Sequence, residues 1–359
     1  MVCFVRRSTI DYDIRLKKYV DACVETKTPY VAITWDRQKN CSNVYPNEIQ
    51  YKASAPYGAK WKNLFSLIGW QFFMLWMLLM NWSKYKVIHA CNLEVFIFVL
   101  PLRLFGKKIV FDIYDSVNVN VEKKISKYAD ILILPHKKRL EQIHVTENEL
   151  KMFLVVENVP KFNRHITKKD KTEIPQKIHL SYVGVLERNI RGLENLLDVV
   201  ADDERFMLNI AGIGGGLEAL VNAAQAKCNR IKYYGKVNYD KALDIMNQSD
   251  FIVAQYYSSH TLHQYASPNK YYESLYLHKP IITSKNTLVG VQVEENNTGY
   301  VIDDTKNDFL NIFSNIDSLS FEVSYDEKSN NCKKLWEGIY QNYFEKTIKG
   351  EYINLLKLL

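Results

Sequence analysis

Short apolar, β-rich runs alternate with helical stretches along this 359-residue chain, and they come in two sets. The first set reads as strands at Val2–Val5, Tyr30–Thr34, Val87–Ala90, Lys108–Asp112 and Ile131–Leu134, with an amphipathic helix running from Asp13 to Glu25. The second reads as strands at Ile178–Val183, Phe206–Ile210, Ile231–Tyr234, Phe251–Ala254, Ile281–Thr283 and Gly299–Val301. Between the sets lies Thr167–Gln176, a polar, charged stretch with a proline near its end, which is the natural linker. Strands that alternate with helices connect by right-handed crossovers and pair in parallel. The expected fold class is therefore α/β, with two parallel-sheet halves on either side of a cleft. Ligands of such sheets bind beyond the carboxyl ends of the strands.

Charge divides as the strands do. Residues 1–170 hold 27 lysines and arginines against 16 acids, a net +11, and residues 171–359 hold 20 against 24, a net −4. A basic first half suits an anionic membrane surface or a nucleic acid. The cations are dispersed and no nucleic-acid-binding motif accompanies them, so nucleic acid is not expected as a partner. Six cysteines are scattered without a C-x-x-C pair, which suggests neither a zinc site nor a disulfide framework and fits a reducing cytoplasm. Charge at Arg6 and Arg7 comes too early for a signal peptide.

Leu64 to Trp82 carries no charge and is long enough to span a bilayer. Ser66, Gly69, Gln71 and Asn81 dilute it, and it leads directly into a strand entry, so the expectation is a well-buried helix packed on the first sheet. Trp70, Trp76 and Trp82, with Lys60, Lys62, Lys84 and Lys86 around them, would help seat the domain on a bilayer if one face stayed open.

The densest chemistry lies in Ser267-Pro268-Asn269-Lys270-Tyr271-Tyr272-Glu273, which leads through a helix into the buried strand at Ile281. Ser267 reads as an N-cap and Pro268 as a first-turn residue whose missing N–H costs nothing. The free amides of that turn carry the positive end of the helix dipole and can hold an anion. Lys270 adds a full charge, and Glu273 on the same turn can accept hydrogen bonds from a sugar hydroxyl pair. Taken alone the segment reads first as a capped surface helix with a solvated Lys270–Glu273 pair. Its place late in an alternating strand–helix chain, after the polar, aromatic loop Tyr256–His260, turns cation, amides and carboxylate within seven residues into a nucleoside diphosphate site.

Two glycine turns follow strands of the second set. Tyr182-Val183-Gly184-Val185 precedes Arg188 and Arg191, either of which suits bidentate phosphate contact. Gly212-Ile213-Gly214-Gly215-Gly216 allows close approach of backbone to a ligand, although tight turns alone also explain it. In the first half, His89 and Asp115 lie at or just past the ends of the strands Val87–Ala90 and Lys108–Asp112. Asp11-Tyr12-Asp13 is formally a D-x-D, but it stands at a helix start and reads as stabilising acids there.

The S-P-N-K-x-x-E string, with Lys279-Pro280-Ile281-Ile282 after it, resembles the GT-B glycosyltransferases, in particular the retaining family 4-like enzymes of bacterial surface polysaccharide synthesis. The likeness implies two Rossmann-like domains. The first, 1–170, would bind the acceptor and be completed by C-terminal helices at about 333–359; the second, 171–332, would bind the donor. It implies a nucleotide diphosphate sugar as donor, UDP first and GDP second, and a glycan or polyprenyl-linked acceptor. It further implies transfer with retention, no cofactor and no metal. From the cysteines, the basic first half and the Leu64–Trp82 run, the expected location is the cytoplasm, at the inner face of the cell membrane. Donor contacts would come from Arg188, Arg191, Gly214, Gly235 (in Tyr234-Gly235-Lys236, resembling a strand end near the base), Ser267, Pro268, Asn269, Lys270 and Glu273. Asp115 and His89 would serve the acceptor hydroxyl from the facing domain. The family pair of glutamates is incomplete, because the earlier position is Tyr265, and Val185 stands where an arginine is usual. The missing acid keeps open a non-catalytic nucleotide-sugar or glycan-binding subunit, and an epimerase on the same fold.

Overall fold

The computed structural model describes residues 1–37, 39, 45–55, 60–162, 177–315 and 318–359, the side chains of 60–62 excepted. The linker expected at Thr167–Gln176 lies outside these residues.

The chain forms two parallel sheets. The first has the order β3-β2-β1-β4-β5-β6-β7, with β1 Val2–Arg6, β2 Tyr30–Asp36, β3 Glu48–Lys52, β4 Val87–Cys91, β5 Lys108–Asp112, β6 Ile131–Leu134 and β7 Phe153–Val155. The second has the order β10-β9-β8-β11-β12-β13, with β8 Ile178–Val183, β9 Phe206–Ala211, β10 Ile231–Tyr233, β11 Phe251–Val253, β12 Ile281–Ser284 and β13 Gly299–Ile302. Both are the all-parallel sheets expected from the alternating pattern. Helices cover their faces, and this is why the central strands are apolar on both sides. Two edge strands, β3 and β7, escape the sequence pattern: EIQYK is half polar because one face of β3 stays partly open, and β7 is only three residues long.

Contacts divide the chain into two compact units, Met1–Lys161 with Asn342–Leu359, and Phe162–Gln341. The helix Leu319–Leu335 therefore belongs to the second unit, and the first takes only the last 18 residues.

The first unit has a polar centre inside its core. Asp112, fully buried at the end of β5, accepts from Arg15 Nε (3.1 Å) and Nη2 (2.7 Å) and from the Tyr19 hydroxyl (2.8 Å). Its remaining neighbour is His89 Nε2 at 3.3 Å. A carboxylate only accepts, so this nitrogen carries the proton and Nδ1 takes the Tyr352 hydroxyl at 2.7 Å. Burial would raise the Asp112 pKa, but Arg15 and the His89 hydrogen bond outweigh it and hold the carboxyl well below the usual range. Arg15 and Asp13 come from the start of α1 (Ile14–Glu25). There Asp13 caps the helix by accepting from Leu16 N (2.9 Å) and pairs with Arg6 (2.6 Å). The D-x-D acids thus serve a helix start.

The uncharged segment forms α2 (Lys60–Met80), and here the expectation of a well-buried helix is corrected. Trp70, Met74 and Leu78 are fully buried, and Trp70 stacks on Trp35 of β2 at 5.9 Å. The opposite face is open: Phe65 and Phe72 are each 73% exposed and Trp76 62%. By length and composition the helix could cross a membrane. A helix apolar all round gives no periodicity from which to tell its inner from its outer side.

Candidate functional site

In the second unit, a pocket of about 240 Å³ opens where β8 and β11 end, with the start of the helix Asn269–Leu277 closing one side. Its lining includes Tyr182, Gly184, Arg191, Tyr256, Asn269 and Lys270. Position and lining agree with the rule that open α/β sheets bind ligands beyond their carboxyl edges.

Arg191 stands on the turn after β8. Gly192, in the left-handed region at φ 69°, ends that turn and starts the helix Leu193–Asp202. The left-handed φ favours glycine, and a β-carbon there would also press on the Gln255 side chain. The guanidinium lies 4.5 Å from the Tyr256 ring centre, and its Nε donates to Glu187 (2.8 Å). Burial lowers the Arg191 pKa, Tyr256 and Glu187 raise it more, and the net shift is upward. One edge of the guanidinium is thereby fixed on protein groups, and its charge is constant across ordinary pH.

The helix Asn269–Leu277 starts one residue later than expected. Pro268 occupies the cap position (φ −75°, ψ 144°) and supplies no side-chain hydrogen bond to the first-turn amides. Ser267, expected there, is buried with its hydroxyl 3.5 Å from that of Tyr272. Lys270 Nζ meets Glu273 Oε2 at 2.5 Å, and the Tyr239 hydroxyl donates to Glu273 Oε1 at 3.0 Å. Glu273 is only 1% exposed, so the pair is not a solvated surface bridge. Burial, with Glu273 adding, drives the Tyr239 phenol far up. Pro268, Asn269 and Lys270 line the pocket, and Glu273 supports Lys270 from behind.

The glycine turns pack on each other. A β-carbon on Gly212 would come within 1.7 Å of the Gly184 carbonyl oxygen. Glu187 and Gly216 form an isolated bridge between the turns. Gly214 N–H donates to Glu218 (2.6 Å), so this amide already holds a carboxylate. The Gly235 carbonyl accepts from Gly212 N–H (2.8 Å). Arg188 is exposed on the outer side of its turn and is not among the pocket-lining residues.

The two residues expected from the first half do not come together. His89 is fully buried and engaged with Asp112 and Tyr352, with no open face for an acceptor. Asp115 is 80% exposed three residues past β5, with Arg139 at 3.6 Å. Among the described residues no cluster of three or more His, Cys, Asp or Glu has the arrangement of a metal site.

Several groups at the pocket were not singled out from sequence. Glu187 was readable in principle, four residues before Arg191. Tyr256 and Tyr239 were not, since 65 and 34 residues separate them from their partners. His263 is another. Its ring meets Tyr256 edge-on (5.5 Å), and its Nδ1, 3.2 Å from the Tyr257 carbonyl, must carry the proton. Burial, then the charges of Arg191 and His260, push its pKa down to about 4. The His263 imidazole is expected to titrate near that value in an NMR pH series, far below the ordinary ~6.5. In the Arg191→Ala variant the midpoint should rise. A midpoint near the ordinary value in the unaltered protein would contradict this environment.

Comparison with known proteins finds one family match and several structures of similar fold. Residues 163–312 match the family described as Glycosyl transferases group 1. Curated proteins give no sequence match. Among solved structures, HepE of Anabaena in complex with UDP and glucose is 12% identical, with a TM-score of 0.69 and 99% of each chain covered. Sucrose-phosphate synthase of Thermosynechococcus elongatus is 14% identical, with a TM-score of 0.70 over 100% of this chain and 99% of that one. WaaG, described as a glycosyltransferase involved in lipopolysaccharide biosynthesis, is 11% identical, with a TM-score of 0.66 over 97% and 98%.

Proposed function

We propose, from the match of residues 163–312 to the glycosyl transferases group 1 family and from the GT-B fold, that the chain transfers a hexose from a nucleotide diphosphate sugar to a glycan or lipid-linked acceptor in the assembly of a surface polysaccharide. The observation that carries this reading is the convergence of Arg191, Lys270 and the uncapped first turn at Pro268–Lys270 on one pocket. At about 240 Å³ the pocket is smaller than the ~300–1,000 Å³ of sites that hold a whole ligand. It suits the diphosphate end of the donor, with base and sugar extending beyond it.

In this reading the two cations and the amides offset the charge that grows on the leaving diphosphate. Preorganised donors of this kind supply a large part of the catalysis in such reactions and can do so without a metal. Glu273 keeps Lys270 in place and offers an edge to the ribose when Tyr239 gives way. Retention at the anomeric carbon follows if the departing phosphate takes the acceptor proton. Asp115, exposed in the first unit, is the proposed residue for orienting the acceptor hydroxyl. UDP is the first candidate nucleotide, since the similar Anabaena structures hold UDP and UDP-glucose; GDP is the second. The scattered free cysteines suit a cytoplasmic protein.

Isothermal titration with UDP, GDP and ADP tests the site. Micromolar binding of one nucleotide is expected, with Lys270→Ala weakening it by about ten-fold or more, the loss of one charge-assisted contact. Binding of none of the three, or binding indifferent to Lys270→Ala, would remove the basis for the reading. Tyr265, standing where the family has an acid, favours a second reading as a binding subunit. Tight nucleotide binding without release of nucleotide from a donor sugar would decide for it.

A further inference from the structure

Among the described residues of its unit, the outer face of α2 is left open. Phe65, Ile68, Phe72, Trp76 and Leu79 recur at three- and four-residue steps on the side opposite Trp70, Met74 and Leu78, and each is between 46% and 73% exposed. The apolar surface does not stop at the end of the helix. Trp82 meets Phe105 edge-on at 6.2 Å, and Gln71 donates to the Glu94 carbonyl at the start of α3 (Leu93–Val99). Beyond these contacts Ile97, Phe98, Leu104 and Phe105 continue the surface, with Leu104 87% exposed. Monomeric soluble proteins rarely leave so many large apolar side chains contiguous and open.

We propose that this face lies in the headgroup–acyl boundary of an anionic lipid bilayer and seats the first unit on the membrane, independently of the nucleotide site. Charge identifies the occupant. Between Glu48 and Glu94 the sequence has Lys52, Lys60, Lys62, Lys84 and Lys86 and no acid, and Arg103, Lys107 and Lys108 precede the next acid at Asp112. Lys84, Lys86 and Lys108 are exposed beside the apolar surface. Lys107 is spent on the Trp82 and Tyr85 carbonyls. Asp130 partly offsets Arg103 (3.7 Å) and Lys108 (4.0 Å), and Glu94 is met by Arg7 (3.6 Å), so the excess positive charge of this fringe rests chiefly on Lys84 and Lys86, and it complements anionic headgroups. A second copy of the chain is disfavoured, because a two-fold interface would set the same lysines against each other. The helix lies along the surface and does not cross it, since its inner face is committed to the core through the Trp70–Trp35 stack. Side chains of such a helix reach about 5–10 Å into the boundary.

The test is flotation of the full-length protein with phosphatidylcholine vesicles containing about one third phosphatidylglycerol. The unaltered protein is expected to float with these vesicles and about ten-fold less with pure phosphatidylcholine, because several lysines each contribute at an anionic surface. The double variant Phe72→Glu/Trp76→Glu should bind about 100-fold more weakly, with an unchanged melting temperature because both side chains are already in water. Lys84→Glu/Lys86→Glu provides a second variant that leaves the apolar face whole and should lose only the preference for anionic vesicles. Absence of vesicle binding by the unaltered protein, or equal binding by Phe72→Glu/Trp76→Glu, overturns the proposal. So does a dimer in light scattering that this variant dissociates without any effect on vesicles.

Discussion

Replacing Arg191 with alanine is expected to lower kcat/KM for sugar transfer by about 100- to 1,000-fold, the usual cost of removing a preorganised charge donor from a site where negative charge develops. The size of the effect follows from how the side chain is held. Tyr256 lies under the guanidinium, Glu187 takes Nε, and the Gly192 turn sets the backbone. The cation therefore pays little ordering entropy when a diphosphate arrives. Lysine is a poor substitute at this position: it keeps the charge but loses the stacked plane and the fork. Arg191→Lys should recover only a small part of the loss. The measurement is steady-state kinetics with the donor identified by titration, and an alanine variant within about three-fold of the unaltered protein would sink the assignment of this pocket to the diphosphate.

The largest expected effect on stability comes from Asp112. Asp112→Ala should destabilise the first unit by about 3–5 kcal/mol, because it leaves Arg15 charged and buried with its main partner gone. The readout is the urea midpoint of that unit, and a loss below about 1 kcal/mol would mean that water or rearrangement replaces the carboxylate. The pH dependence has a defined sign. The folded pKa of Asp112 is depressed, so its contribution is fully present above the ordinary carboxylate range and is lost only as pH falls below about 4. Burial also depresses the His89 pKa, and an imidazole kept neutral in the fold loses stability for it as pH drops below about 6.5. The first acid loss in the unaltered protein is thus expected from His89, with Asp112 adding a second one at lower pH.

How far the fold could be read in advance depended on burial. The central strands are buried on both faces, so VIHAC, ILIL and IHLSYV stand out as apolar runs; EIQYK, at an edge, does not. The orientation of α2 was illegible for the opposite reason, as apolar residues surround the whole helix. At the site, Arg191 and the Lys270–Glu273 spacing were legible because they lie within single turns, where sequence distance is spatial distance. What holds them was not: Tyr256 and Tyr239 arrive from other segments through the sheet order. His89 shows the converse error. A polar residue at a strand end looks open to a cleft, yet here Asp112 and Tyr352 enclose it, and Tyr352 is 263 residues away in sequence.

That distance bears on the order in which the protein is made. Tyr352 lies in the stretch Asn342–Leu359, which belongs to the first unit. The hydroxyl that donates to His89 is therefore synthesised only after the whole of the second unit. Domains generally fold in the order of synthesis, at about 5–20 residues added per second. The second unit, residues 162–341, is contiguous and can finish while translation continues. The first, although begun earlier, must wait with its polar centre unclosed until Asn342–Leu359 has emerged, so a nascent chain stalled before Asn342 would present a completed second unit and an unfinished first.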